Sequence, residues 1–382
     1  MTPFRTAAEI GTEGAMTLPG RFYTSPEIFQ WEREKLFLQQ WICAGREERI
    51  PEPGDYFVRT IGTESVVIVR GRDGMVRAFH NICRHRGTRL CEESEGRFKN
   101  AIRCPYHAWT YGLDGRLLAA PSMDAVTGFE TADYPLHSVA LATWEGFVFL
   151  SLAPAPEPFE TVYAPLLGKF HLYNLPALRQ TGRIEYDVCA NWKLMFENYS
   201  ECFHCPSVHP ALVKLSPADS GANDLVSGPF LGGYMEVKPE KGSMTLSGNA
   251  CGRPVGDLPA KEMHRVYYYS LFPNMLLSLH PDYVMVHTLW PESPGRTRIE
   301  CEWLFHPDAA AHPDFDPEDG VRFWDKTNRE DWHICELSQL GVASRAYTVG
   351  PYSPRESISV AFDREYLRAL NLNVQRACDA HL

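Results

Sequence analysis

No apolar run in this chain is long enough to cross a bilayer. The most apolar stretch, VALATWEGFVFLSLA at 139–153, is interrupted by Glu145 and Gly146 and is too short for a span; it reads as a pair of strands. Basic residues are also scarce. Lysine and arginine number 37 against 48 acids, a formal charge of −11 over 382 residues. That balance argues against nucleic acid, whose phosphates need a basic surface, and against an anionic membrane face. The opening MTPFRTAAEIGTEGAMTLPG has no apolar core of a secretory leader. The 11 cysteines are odd in number and scattered, so no disulfide framework is expected and a reducing cytoplasm is the expected compartment. Internal repeats and low-complexity tracts are missing too.

What is present is ordinary globular composition, 44% hydrophobic and 22% charged, with length enough for two domains. Residues 1–43 read as an N-terminal helical segment. Ser25 is an N-cap before Pro26, and Ile28, Trp31, Leu36, Phe37 and Trp41 recur roughly on one helical face. From 44 to 155 short alternating runs (DYFVRTI, ESVVIVRG, MVRAFHNI, IRCPYHAWTY, GFVFLSL) are separated by Gly and Asp turns, the pattern of a small antiparallel β domain. APAPEPFE at 153–160 reads as a linker. Residues 156–382 mix the two element types. NWKLMFENYSECFHC reads as helix, YYYSLFPNMLLSLHPDYVMVHTLWP and TRIECEWLF as strands, and 317–341 as a long amphipathic helix. The fold class is therefore α+β, with an antiparallel sheet in each domain.

Two constellations carry chemistry. The stretch CRHRGTRLCEESEGRFKNAIRCPYH, 83–107, opens Cys-x-His and closes Cys-x-x-His. Cys83 and His85 sit in one loop, Cys104 and His107 in another. Structural zinc would accept this set. Zinc fingers, however, usually group Cys with Cys and His with His. One Cys and one His per loop suits a Rieske [2Fe–2S] cluster, with two cysteines on one iron and two histidines on the other. An unmetallated core is the bland alternative. Cys91 lacks a partner histidine and reads as a plain thiol. Arg84 and Arg86 could present charge to an acidic redox partner or simply be a solvated loop.

The second constellation is ENYSECFHCPSVHP. His204 and His209 are five apart, and a helix ending near Pro206 would let the chain turn back to one point. Two histidines and a carboxylate with open positions form the facial triad of non-haem Fe(II) oxygenases. The carboxylate candidates are Asp325, Glu330 and Asp331 in the long helix; Asp331 is preferred and Asp325 is its rival. Glu201, three residues before His204, projects from the same helix face and can orient that imidazole. Asn198, one turn earlier, either reaches the same pocket or is a buried amide. Tyr267, Tyr268, Tyr269, Phe272, Tyr283 and Trp290 lie on the expected sheet around the site, as a cage for a cation or as core packing.

Together CRH, CPYHAW, NWK, ENYSECFHCPSVHP and REDW, in this order over nearly the whole chain, resemble the catalytic α subunit of the Rieske non-haem iron oxygenases. Glu before Cys-x-His-Cys looks like the choline, glycine-betaine and carnitine monooxygenase branch. The resemblance implies that Cys83, His85, Cys104 and His107 hold the cluster. It implies that His204, His209 and Asp331 hold mononuclear Fe(II), with Glu201 bridging the metals between subunits of a head-to-tail trimer. The implied fold is a Rieske β domain plus a helix-grip-like catalytic domain. The implied reaction is hydroxylation or oxidative N-demethylation of a small quaternary or methylated amine, using O2 and two electrons. Hydroxylation of an aromatic acid's ring is the alternative. The sequence shows no flavin or nicotinamide fingerprint and no plant-type ferredoxin cysteine run. NAD(P)H electrons would therefore come through a separate flavin or iron–sulfur reductase, with or without a ferredoxin.

Overall fold

A computed structural model describes residues 11–311, 313 and 315–372; His312 and His381, given no role above, lie outside them. Backbone proximity divides the chain into two units. One runs from Phe37 to Phe159, and the other joins the residues up to Leu36 with those from Glu160 onward.

The first unit grows from the alternating runs. DYFVRTI is the strand Asp55–Ile61, in which Phe57 and Ile61 are buried and Thr60 is exposed. Period-two burial of this kind needs one apolar face of a sheet. Seven strands form that sheet in the order Ile42–Arg46, Phe147–Ser151, Ser138–Trp144, Val76–His80, Glu64–Arg70, Asp55–Ile61, Glu95–Arg97. The apolar run at 139–153 is indeed a hairpin, pairing Trp144 with Phe147. Glu145 and Gly146 turn it with φ of 51° and 77°, the left-handed pair that a two-residue hairpin requires. A second sheet, Ile102–Arg103, Thr110–Tyr111 and Leu117–Ala119, is three strands wide.

The second unit holds another seven-stranded antiparallel sheet. Its order is Arg179–Val188, Arg296–Phe305, Val284–Ser293, Met275–Leu279, Arg265–Leu271, Phe230–Glu236, Ala222–Leu225. The central strand Met275–Leu279 is buried at every position, which explains why it is apolar on both faces except at Ser278. Three of the seven, Arg179–Val188, Ala222–Leu225 and Phe230–Glu236, carry no clear strand pattern. Most of Arg179–Val188 is exposed or half-buried, and Phe230–Glu236 contains Gly232 and Gly233.

The helix Pro317–Val342 buries Val321, Trp324, Thr327, Asn328, Trp332 and Cys335, a single stripe at helical spacing. Asp331 sits at the edge of that stripe. The shorter helix Trp192–Tyr199 starts at Asn191, whose side chain accepts the Lys193 N–H, and its first five residues are buried. Ser25 caps Pro26–Glu32 as expected, accepting the Ile28 N–H. Glu32, fully buried, then accepts from Lys193 Nζ, Trp192 Nε1 and Tyr366 Oη at 2.5, 2.9 and 2.5 Å. That network ties the N-terminal segment to Trp192–Tyr199 and to the helix Ser357–Ala369. Among the described residues no helix is long and apolar enough to cross a membrane.

Candidate metal centres

In the first unit, two loops repeat one construction. The Gly87 N–H donates to Cys83 O, and the Ala108 N–H donates to Cys104 O. Gly87 and Ala108 both have positive φ, 72° and 60°. Each loop therefore turns four residues after its cysteine and points that cysteine and the following histidine the same way. Asn81 anchors the first loop from beneath. Its Nδ2 donates to Ser65 Oγ and Cys91 O, and its Oδ1 accepts from Leu90 N and Cys91 N.

The four side chains sort by type. Cys83 and Cys104 are buried with Trp109 and Tyr111, and the two sulfurs interact with each other. The Tyr111 hydroxyl lies 3.3 Å from Cys83 Sγ and accepts the Arg84 N–H at 3.0 Å. His85 and His107 pair outside them, their ring centroids 4.7 Å apart, His85 exposed and stacked on Trp109. Burial, His107 and Arg86 keep His85 below its ordinary pKa, in the neutral form a metal takes. Paired sulfurs inside and paired imidazoles outside fit a two-iron cluster with unlike ends better than one tetrahedral ion. Cys91 is a plain buried thiol; burial pushes its pKa up to about 12. Arg84 Nη1 donates to Pro135 O at 2.6 Å, while exposed Arg86 lies over Tyr106.

In the second unit, the local backbone differs from the sequence expectation. The helix stops at Tyr199, not near Pro206. Ser200 ends it by returning its hydroxyl to Phe196 O at 2.6 Å. Pro206 instead sits in the first turn of a new four-residue helix, Cys205–Val208, flanked by His204 and His209, a position proline favours. One helical turn thus brings the two rings to a centroid distance of 5.2 Å. Glu201 and His204 do meet, though not on a helix face. The Glu201 carboxylate accepts the N–H groups of Phe203 and His204 and also bonds His204 Nδ1.

His204, His209 and Asp331 bring one ligand atom each within 4.8 Å of the others. Asp331 Oδ1 is 3.2 Å from His204 Nε2 and 2.8 Å from His209 Nε2. Ligand atoms about 2.1 Å from one ion and at right angles would lie roughly 3 Å apart, so the donor set fits a facially bound metal. Both histidines turn Nε2 inward. Behind His209, Nδ1 donates to Glu330 Oε2 at 2.8 Å, as Glu201 stands behind His204. Glu330, one of the three carboxylates considered above, is therefore an orienting group for His209. Asp325 points elsewhere, accepting from Tyr186 Oη at 2.9 Å and Arg329 Nε at 3.0 Å. Burial disfavours charge on all three converging groups, but their mutual bonds outweigh it. His204 is raised to about 9, His209 is raised, and Asp331 is held well below the usual carboxylate range.

A cleft of about 410 Å³, counting its open mouth, lies over these groups. Asn198 and Glu201 line it, as do Tyr199, Leu212, Met235, Tyr268, Trp324 and Thr327. No lysine or arginine is among its lining residues. Of the six sheet aromatics named from sequence only Tyr268 lines it. Tyr267 and Tyr269 donate to Glu262 and Asp224 instead. Tyr283 accepts from Trp324 Nε1 at 2.7 Å and donates to Met244 O at 2.6 Å, fixing the indole that sequence reading missed. Cys202 and Cys205 also line the cleft and are disulfide-bonded. The sequence argued only against a disulfide framework, and this single short bridge is not one; among the described residues the other eight cysteines form no disulfide. The odd total could not reveal a bond closed across three residues.

Comparison with known proteins bears on both centres. Residues 40–135 match the family model of the Rieske [2Fe-2S] domain, and 175–371 match that of the ring hydroxylating alpha subunit, catalytic domain. The chain is 34% identical over 380 residues to the glycine betaine monooxygenase oxygenase subunit of Chromohalobacter salexigens, covering 89% of this chain and 82% of that one. It is 41% identical over 199 residues to the carnitine monooxygenase oxygenase subunit of Escherichia coli K12, covering 51% and 53% respectively. A crystal structure of a quaternary ammonium Rieske monooxygenase with L-carnitine superposes with a TM-score of 0.77 at 25% identity, over 94% of this chain and 96% of that one.

Proposed function

Because this chain belongs to the Rieske non-haem iron oxygenases, as a catalytic α subunit, we propose that it oxidises a small quaternary or methylated amine, by hydroxylation or oxidative N-demethylation. Like the family, it is an oxidoreductase with a Rieske cluster and a mononuclear iron, drawing electrons from a reductase. The cluster supplies electrons one at a time, and the iron supplies a site for dioxygen. Cys83, Cys104, His85 and His107 would hold the cluster. His204, His209 and Asp331 would hold the iron, with Glu201 and Glu330 fixing the ring orientations. Glu201 would also carry the electron path to His204 in a head-to-tail trimer, and a ferredoxin is an optional intermediary to the reductase.

One observation carries the substrate class: the cleft pairs aromatic rings with carboxylates and has no lysine or arginine among its lining residues. Tyr268 and Trp324 stand edge to face at 6.2 Å, and a cation against such faces gains about 0.5–2 kcal/mol. An aromatic acid would instead bring its carboxylate towards Glu201 and Asp331 without a lysine or arginine to pair with. Relatives that act on glycine betaine and carnitine agree with the first reading. The test is turnover with a competent reductase against trimethylammonium compounds and benzoate-type acids. Formaldehyde or an aldehyde product from the former supports the proposal; a cis-diol or phenol from the latter, with no amine turnover, overturns it.

A further inference from the structure

The mechanism above uses Glu201 and His204 but leaves unexplained the two cysteines that bracket His204. Cys202 and Cys205 are 6% and 4% exposed, line the cleft and are joined as a disulfide. Cys205 Sγ lies 4.0 Å from His204 Nε2, the nitrogen that faces Asp331. These sulfurs therefore stand beside the atoms where dioxygen would be reduced. The Cys-x-x-Cys spacing is that of redox-active pairs, which open and close by thiol–disulfide exchange. Their surroundings favour reversibility. The Glu201 carboxylate already holds the Phe203 and His204 backbone, so the ring can open while His204 keeps its partners.

We propose that Cys202 and Cys205 are a reversible dithiol–disulfide pair that consumes hydrogen peroxide arising in the iron cleft, the bonded form being its oxidised state. The inference rests on the oxygenase reading, because two-electron reduction of dioxygen without substrate oxidation yields peroxide. One thiolate attacks the peroxide O–O bond and forms a sulfenic acid with release of water. The second thiol displaces the hydroxyl as a second water and closes the S–S bond. Two thiols lose two electrons and two protons, and one peroxide becomes two waters. A small-molecule dithiol restores the pair by exchange. The chemistry spares the neighbouring ligands His204 and Asp331 from the same oxidant.

The test uses the iron-loaded enzyme, reduced with a dithiol, desalted and exposed to one equivalent of hydrogen peroxide without substrate or reductase. Alkylation and peptide mass spectrometry then report each cysteine. The expected result is loss of both alkylations on the 202–205 peptide with a Cys202–Cys205 crosslink, while exposed Cys189 remains alkylatable, and recovery after dithiol. Oxidation of Cys189 ahead of the pair, or oxygen addition without a crosslink, overturns the proposal. Cys205→Ser and Cys202→Ser provide the second measurement. Each should lose iron and gain oxygen on the 202–209 peptide sooner than wild type under repeated peroxide, with the cluster absorbance as a check on folding; equal iron retention overturns the protective role. Since neither arm uses turnover, their failure leaves the oxygenase reading standing. Failure of the amine assay with a normal peroxide response isolates the opposite fault.

Discussion

His209 lies between two carboxylates of consecutive residues: its Nε2 is 2.8 Å from Asp331 Oδ1 and its Nδ1 is 2.8 Å from Glu330 Oε2. One face of the long helix thus supplies a group to meet a metal and, beside it, a group to aim the imidazole at that metal. The two carboxylates should be separable by experiment. Asp331→Ala is expected to lower iron content to that of the cluster alone and to abolish product, with the cluster's EPR spectrum unchanged. Asp325→Asn, which keeps an acceptor for Tyr186 and loses only its charge beside Arg329, should keep all its iron. Reversed iron contents would make Asp325 the ligand.

Glu330→Ala should weaken iron binding without eliminating it. Loss of a carboxylate that orients a ligating histidine typically costs roughly 10- to 100-fold in metal affinity. Competition with a chelator measures this directly, and affinity equal to wild type would mean that Glu330 is merely a surface contact.

Glu201→Gln keeps acceptors for the Phe203 and His204 N–H groups but removes the negative charge beside His204 Nδ1. Both metals should remain, while product formed in a single turnover from the pre-reduced enzyme slows. Unchanged single-turnover kinetics would reject the electron-path role.

Trp324→Leu removes one ring from the cleft while keeping its apolar volume partly filled. KM for a trimethylammonium substrate should rise by about 2- to 30-fold, the equivalent of about 0.5–2 kcal/mol of cation–π attraction. A neutral isostere with a tert-butyl head gives the control: its binding should change less. Equal losses for both would mean that the indole only packs.

A buried acid pair sets a pH dependence of stability. Asp363 meets Glu197, accepts from Tyr352 Oη at 2.7 Å and feels Lys193. Burial, opposed in part by Tyr352 and Lys193, raises Asp363 to about 7. A folded-state pKa raised above the unfolded value stabilises the fold when the group is protonated. That contribution is present in full below about pH 4 and is lost as pH climbs to about 7. Asp363→Asn mimics the protonated form and keeps an acceptor for Tyr352. Its melting temperature relative to wild type should therefore increase from about pH 5 to about pH 8. Parallel melting curves across that window would contradict the raised pKa of Asp363.

Much of this was legible in the residues. Loops 83–87 and 104–108 announce themselves because metal chemistry fixes residue type and spacing at once. The interior strands announce themselves because burial on one or both faces writes a short-period pattern. The Tyr199 helix stop was hidden, since Ser200 ends the helix through a side-chain bond that propensity does not register. Trp324 was missed because it and Trp332, in the same stripe, look alike in sequence, and only packing decides which ring meets the cleft. Asp331 was preferred as the ligand from sequence, but the role of Glu330 behind His209 was not legible, as adjacent residues on a helix diverge by an angle that sequence does not anchor. Strand Arg179–Val188 escaped notice because a sheet edge leaves most of its side chains in solvent.

The chain leaves the iron-bearing unit after Leu36 and re-enters it at Glu160, and Glu32 on the early piece partners Lys193 on the late one. Genetically, the cluster unit is an interlude within the coding sequence of the iron-bearing unit rather than a module appended to one end. Grafting a different electron-transfer head onto this enzyme would therefore take two crossovers, near both junctions. A single-cut fragment starting at Glu160 would leave the buried Lys193 without Glu32, its direct ion-pair partner, and loss of one partner of a buried ion pair costs about 3–5 kcal/mol.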